Sequence, residues 1–147
     1  MSRALLDLAT ASRIIDAALT ESRRRQGAPL CVAVLASSGH LLALKREEAA
    51  AFYRIEIAMA KAAGCIGMGC GGRELMRRAS AMPTLYTAFG SLVPLLPIAG
   101  GVLIRDAQAA LLGAIGISGD TADHDESCGL AGIAAADLIA DTGMPRP

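Results

Sequence analysis

Aromatic residues are nearly absent: the 147-residue chain has no tryptophan, two tyrosines and two phenylalanines. Hydrophobic residues still make up 53% of it, with 16 glycines besides. A core of small residues must form by close backbone approach rather than by large rings. Charge is also scarce, 19% against about 25% in an ordinary globular chain. A domain with so little charged surface is expected to bury part of it against copies of itself, as a dimer or larger homo-oligomer. The 14 Lys and Arg balance the 14 Asp and Glu. Without a basic field, nucleic acid is not an expected partner. No apolar run approaches the roughly 20 residues of a membrane span. The N-terminus carries Asp7 within a helical pattern and does not read as a signal peptide. Cys31, Cys65, Cys70 and Cys128 form neither CxxC nor a zinc spacing. Reduced, buried thiols in a cytoplasmic protein are the expectation, with no metal site.

At this length a single domain over residues 1–147 is expected. Residues 3–26 read as an amphipathic helix striped by Leu5, Leu8, Ser12, Ile15 and Leu19, with Gly27 as its stop. Residues 28–36 are apolar on both faces, so layers should cover the sheet above and below. They turn at Ser37–His40 into a second strand, 41–46. A helix over 51–67, striped by Phe52, Ile55, Met59, Ala62 and Ile66, puts Arg54 and Lys61 on another face. GMGCGG at 67–72 should break it, since a phosphate loop must open a helix rather than follow one. A short helix is expected near 74–79 and an edge strand at 85–89. Strands over 98–105 and 110–118 form a second hairpin, and a final helix runs from 123 to 141. Asp123 as N-cap with Glu126 at N3 fits a capping box; Gly143 and Pro145 then close the chain. Locally paired strands with helices on both sides predict a three-layer α/β/α fold on an antiparallel sheet.

The richest stretch is 97–126, PIAGGVLIRDAQAALLGAIGISGDTADHDE. Glycines inside strands mark places where a ligand or another backbone comes close, which singles out Gly100 and Gly101. Four acids follow within seven residues, 120–126. Asp125 and Glu126 are candidates for acid–base work, because neighbouring carboxylates raise one another's pKa. Capping at a helix start accounts more simply for Asp120 and Asp123. Arg46 suits a carboxylate clamp, with Glu48 beside it; a solvated strand end is the plainer alternative. His40 and His124 are each suited to ligate a metal or haem iron, although a turn histidine such as His40 is usually just solvated. Cys128 near a helix start is open to a lowered pKa, though a buried structural cysteine is commoner.

Three stretches resemble the GlcG/HbpS-like proteins, also called haem-degrading domains. GAPLCVAVLASSGHLLALKRE is similar to their strand–turn–strand opening, IEIAMAKAA to their IA…KA helix, and 97–126 to their closing hairpin and acidic turn. The resemblance spans nearly the whole chain. It implies a profilin-like fold with a five-stranded antiparallel sheet, homo-oligomers, and a small-molecule-binding protein that binds haem or helps degrade it. The chain departs from the family where Arg46-Glu47-Glu48-Ala49-Ala50 replaces Arg-x-Asp-Gly-Ala. Haem is implied by the resemblance alone. For such a ligand, Lys61, Arg54, Gly100 and Gly101 are the candidate contacts. The alternative is a small isomerase or lyase acting on an organic acid or carbonyl compound. Arg46 would hold the carboxylate, Glu48, Asp125 or Glu126 would move the proton, and the Gly100 and Gly101 amides would face the oxyanion. A third reading is an accessory structural oligomer.

Overall fold

The structure, a computed structural model, describes residues 5–144; the expected helix start at residue 3 and Pro145 lie outside them. The elements are α1 (Leu8–Arg24), β1 (Cys31–Ala36), β2 (Leu41–Arg46), α2 (Arg54–Met68), α3 (Gly72–Ala81), α4 (Pro83–Leu92), β3 (Gly101–Arg105), β4 (Leu111–Ser118), α5 (Ala122–Ala135) and β5 (Ile139–Asp141). The five strands form one sheet in the order β2-β1-β4-β3-β5, every neighbouring pair antiparallel. Alternation along β1 decides the layers. Val32 and Val34 join Ile115 and Ile117 of β4 in a core with Ile14, Ile15 and Ile133 from α1 and α5. Cys31, Ala33 and Leu35 face the other way, into clusters with Ala58, Ala62, Cys65 and Leu75 from α2 and α3. The expected α/β/α layering is the one observed.

Several local readings need correction. Residues 85–89 lie inside α4, not in an edge strand. Pro83 sits in its first turn, and Tyr86 turns inward against Phe89, ring centroids 5.8 Å apart. The fifth strand is instead cut from the expected last helix, which stops at Ala135. Asp137 takes a left-handed φ of 56°, and β5 then pairs with β3. The cap of α5 is Thr121, whose side chain accepts from the His124 N–H; Asp123 lies in the first turn, so the Asp123–Glu126 capping box does not form. At the end of α1 it is Gln26, φ 56°, that goes left-handed. Gly27 is needed instead because the His124 ring occupies the space a Cβ would take. The stripes hold in part. Ile15 and Ala62 are buried as expected, but Leu5, Leu8 and Phe52 are exposed, while Ala11, Ala18 and Ala58 are buried instead. Small residues face inward because the layers pack backbone to backbone.

Two carboxylates brace single helices. Glu21 takes Arg24 and Arg25, and Glu74 takes Arg77 and Arg78. Hydrogen bonds from the arginines pull both carboxyls from 4.5 down to about 2. Because the folded values are depressed, their contribution is present above pH 4.5 and is lost as pH falls through about 2. Denaturation midpoints followed down through this range should fall, and the Glu21→Gln/Glu74→Gln variant should flatten that limb. Parallel curves for variant and parent would remove these pairs from the acid response.

Candidate functional site

Lys61 enters from α2 on one face of the sheet, and Asp125 from the first turn of α5 on the other. They meet around the start of β3. Lys61 Nζ donates to the Ile117 carbonyl at 2.8 Å and to Asp125 Oδ2 at 3.2 Å. Asp125 Oδ1 accepts the Asp120 N–H at 3.1 Å. The two residues are only 4% and 1% exposed. Gly100, with φ 114°, and Gly101 make this crossing possible. A Cβ at Gly100 would lie 2.7 Å from Lys61 Nζ, and one at Gly101 2.6 Å from the Lys61 carbonyl oxygen. The room beside these glycines is filled by Lys61 and the backbone of α2. Burial pushes the Lys61 pKa down and the Asp125 pKa up, each against the opposing charge of its partner.

The other expected site residues are distributed around this pair. Glu126 accepts the Arg73 Nε–H at 3.1 and 3.0 Å, and Asp123 accepts from Arg73 Nη2 at 2.6 Å, tying α3 to α5. Arg54, first residue of α2, donates through Nη1 to Ser118 Oγ at 3.2 Å, next to the carbonyl that holds Lys61. Arg46 is in register with Cys31, and Cys31 with Ser118. The Arg46 Nη1 donates to the carbonyls of Glu47, Glu48 and Ala50. Glu48 is exposed in that turn. Lys61, Asp125, Gly100 and Gly101 are thus brought together, with Arg54 adjoining, whereas Arg46 and Glu48 stand at the β2 edge and Glu126 faces α3.

His40 is exposed and bonds Ser38 Oγ at 2.9 Å. His124 Nε2 lies 3.0 Å from Ser22 Oγ and 3.5 Å from Cys128 Sγ, latching α5 to α1. All four cysteines are free and buried. Burial pushes the Cys31 thiol to about 11 and the Cys65 thiol to about 12, and it raises Cys128 too. Among the described residues no group of three or more His, Cys, Asp or Glu is placed to hold a metal ion. None of their helices is long and apolar enough to cross a membrane.

One cavity escapes a reading of the sequence. The last turns of α2, the end of α4 and the segment 93–95 enclose about 380 Å³, lined by Ala63, Gly64, Gly67, Met68, Phe89, Val93, Pro94 and Leu95. This is within the usual span for small-molecule sites, about 300–1,000 Å³. Every lining side chain is apolar, and the Met68 thioether supplies the one heteroatom. A Cβ at Gly67 would meet nothing within 4 Å, so this side of α2 is open. The signal in the sequence was Gly64 and Gly67, three apart on one helix face. It is invisible while 85–89 is read as a strand.

The model of the HbpS-like haem-degrading proteins matches residues 6–134. The chain belongs to that family. The HbpS-like assignment extends to whole folds. A crystal structure of HbpS is 27% identical, with a TM-score of 0.80, over 91% of this chain and 92% of that one. A double mutant of Streptomyces reticuli HbpS is likewise 27% identical, with a TM-score of 0.79 over 91% and 88%. The haem complex of PduOC shares the fold at 23% identity, with a TM-score of 0.83 over 92% and 97%. No curated protein matches.

Proposed function

We propose that this HbpS-like chain binds a flat, largely apolar small molecule of the haem type in the cavity between α2 and α4. The cavity carries the reading; family membership and the PduOC–haem neighbour support the ligand class. Gly67 lets a ring approach the α2 backbone, Leu95 already fills the space beside Gly64, and Phe89, Val93 and Leu95 supply apolar walls. These apolar residues would hold the haem ring, and the Met68 thioether would supply a donor to its iron. The acidic and basic groups of such a ligand would face solvent, since no charged side chain lines the cavity. The same proposal includes self-association. Leu85 and Leu92 are exposed on α4, and a second copy would cover them. Sedimentation should give a mass above the monomer; a monomer at every concentration would remove this part.

Titration with haemin should shift the Soret band and saturate. Gly67→Phe fills open space at the cavity without touching the core, so the shift should disappear. Its stability should hold or rise by a few tenths of a kcal/mol, because Gly is a poor helix former. Met68→Ala should move the band position more than the affinity. No Soret change in the parent protein, or an unaltered titration in Gly67→Phe, would place the ligand elsewhere or abolish the reading.

A further inference from the structure

Among the described residues, most Lys and Arg have a carboxylate within 4.0 Å: Arg23, Arg24, Arg25, Lys45, Lys61, Arg73, Arg77, Arg78 and Arg105 all form ion pairs. Arg13, Arg46 and Arg54 do not. Arg13 is an exposed α1 side chain. The other two stand at the same end of the sheet. Arg54 is half-buried, and one of its N–H groups is anchored on Ser118 Oγ, a residue with no exposure. A guanidinium carries five N–H donors, and the rest of the Arg54 fork has no acceptor among the described residues. Arg46 starts two strands away from Ser118, about 10 Å at the usual strand spacing, and its Nη1 is held by three carbonyls. Glu48 and Glu56, close in sequence to the two arginines, form an ion pair with neither. Immediately before Arg54, Phe52 and Tyr53 are 80% and 69% exposed and stack edge to face, centroids 5.2 Å apart. In a chain with four such rings in all, two stand in water on the residues that lead directly into an arginine without an ion-pair partner.

We propose that Arg54, seated on Ser118 and flanked by Arg46, is a binding site for a small aromatic carboxylate. The Arg54 fork takes the carboxylate through parallel hydrogen bonds, and the ring of the ligand lies against Phe52 and Tyr53. The seat on Ser118 fixes the guanidinium before the ligand arrives, which lowers the ordering cost of binding. This site is separate from the α2–α4 cavity. Arg54 and Gly67 lie thirteen residues apart on one helix, about 20 Å.

The test is an amide-resolved NMR titration of the whole chain with cinnamate. Saturable shifts in the millimolar range should appear at residues 52–55 and Ser118, and cinnamamide, which lacks the charge, should leave them in place. Arg54→Gln should weaken binding at least about tenfold. Arg54→Lys, which keeps the charge and loses the fork, should weaken it several-fold, and Phe52→Ala should weaken it while leaving the arginines untouched. Gly67→Phe should bind cinnamate as the parent does, so failure here is distinguishable from failure of the haem-type reading. Equal responses to cinnamate and cinnamamide, unchanged affinity in Arg54→Gln and Arg54→Lys, or shifts scattered over the surface would each overturn the proposal.

Discussion

Lys61→Met should destabilise the protein by about 3–5 kcal/mol, the range for stripping one partner from a buried ion pair. Asp125 is 1% exposed, so water cannot replace the lost ammonium. Removing both charges should behave differently. In the parent, burial dominates both shifts, with Lys61 lowered and Asp125 raised. Burial thus works against the charged form of each group. Lys61→Met/Asp125→Leu should recover much of the loss, less about 1 kcal/mol for the Asp120 N–H left without its acceptor. The signs also set a pH signature. A carboxyl with a raised folded pKa contributes stability below its unfolded value and loses it as pH rises through the folded value. With Lys61 gone, the Asp120 N–H is left as the main group opposing the effect of burial on Asp125. The single variant should then regain stability on acidification from neutral pH more steeply than the parent. Urea denaturation across pH measures all three proteins. A Lys61→Met midpoint close to the parent's, or a double variant worse than both singles, would show that the pair is not what closes this end of the sheet.

Gly116→Val should be the most damaging change in the sheet. Gly116 is in register with Ala33 on one side and Gly101 on the other, making a strip of sheet almost without side chains. α2 lies directly on that strip. A Cβ at Gly116 would run into the Ala58 carbonyl oxygen and come within 2.8 Å of the Ala62 nitrogen. Both are backbone atoms, so no rotamer change relieves the clash and the helix must lift. Gly116→Ala should lose about 1–3 kcal/mol as an overpacked site, and Gly116→Val more. Gly67→Ala, in the same helix but facing open space, should gain a few tenths of a kcal/mol. Thermal unfolding of the three variants separates them. If Gly116→Ala is as stable as the parent, α2 is free to move outward and the close contact is not a constraint.

Both hairpins were legible because a strand carries its period in a few residues and the turns carry Gly, Asp and Ser. Helix ends were harder, since Asp123 is by type a better cap than the Thr121 that caps α5 and Gln26 is a poor candidate for a left-handed residue. β5 was unreadable: three residues without turn chemistry, given strand form only by the free edge of β3. At the site, the strand glycines announced close approach, and close approach is what they allow. Lys61 and Asp125 could be named singly but not as partners, because they lie 64 residues apart on opposite faces. The α2–α4 cavity depends on a helix that the apolar run at 85–89 disguised.

The strand order has a consequence for synthesis. β1 is the second strand in the sheet, yet one of its two neighbours, β4, ends at Ser118. Until that residue has left the ribosome, β1 and β2 make only an isolated hairpin, which is marginal in water. α1 waits longer still, because its inner face packs against Gly132 and Ile133 of α5. A nascent chain of this protein thus holds its first helix and first strands uncommitted through most of translation. The final residues of α5 close the core and β5 pairs with the free side of β3 almost together.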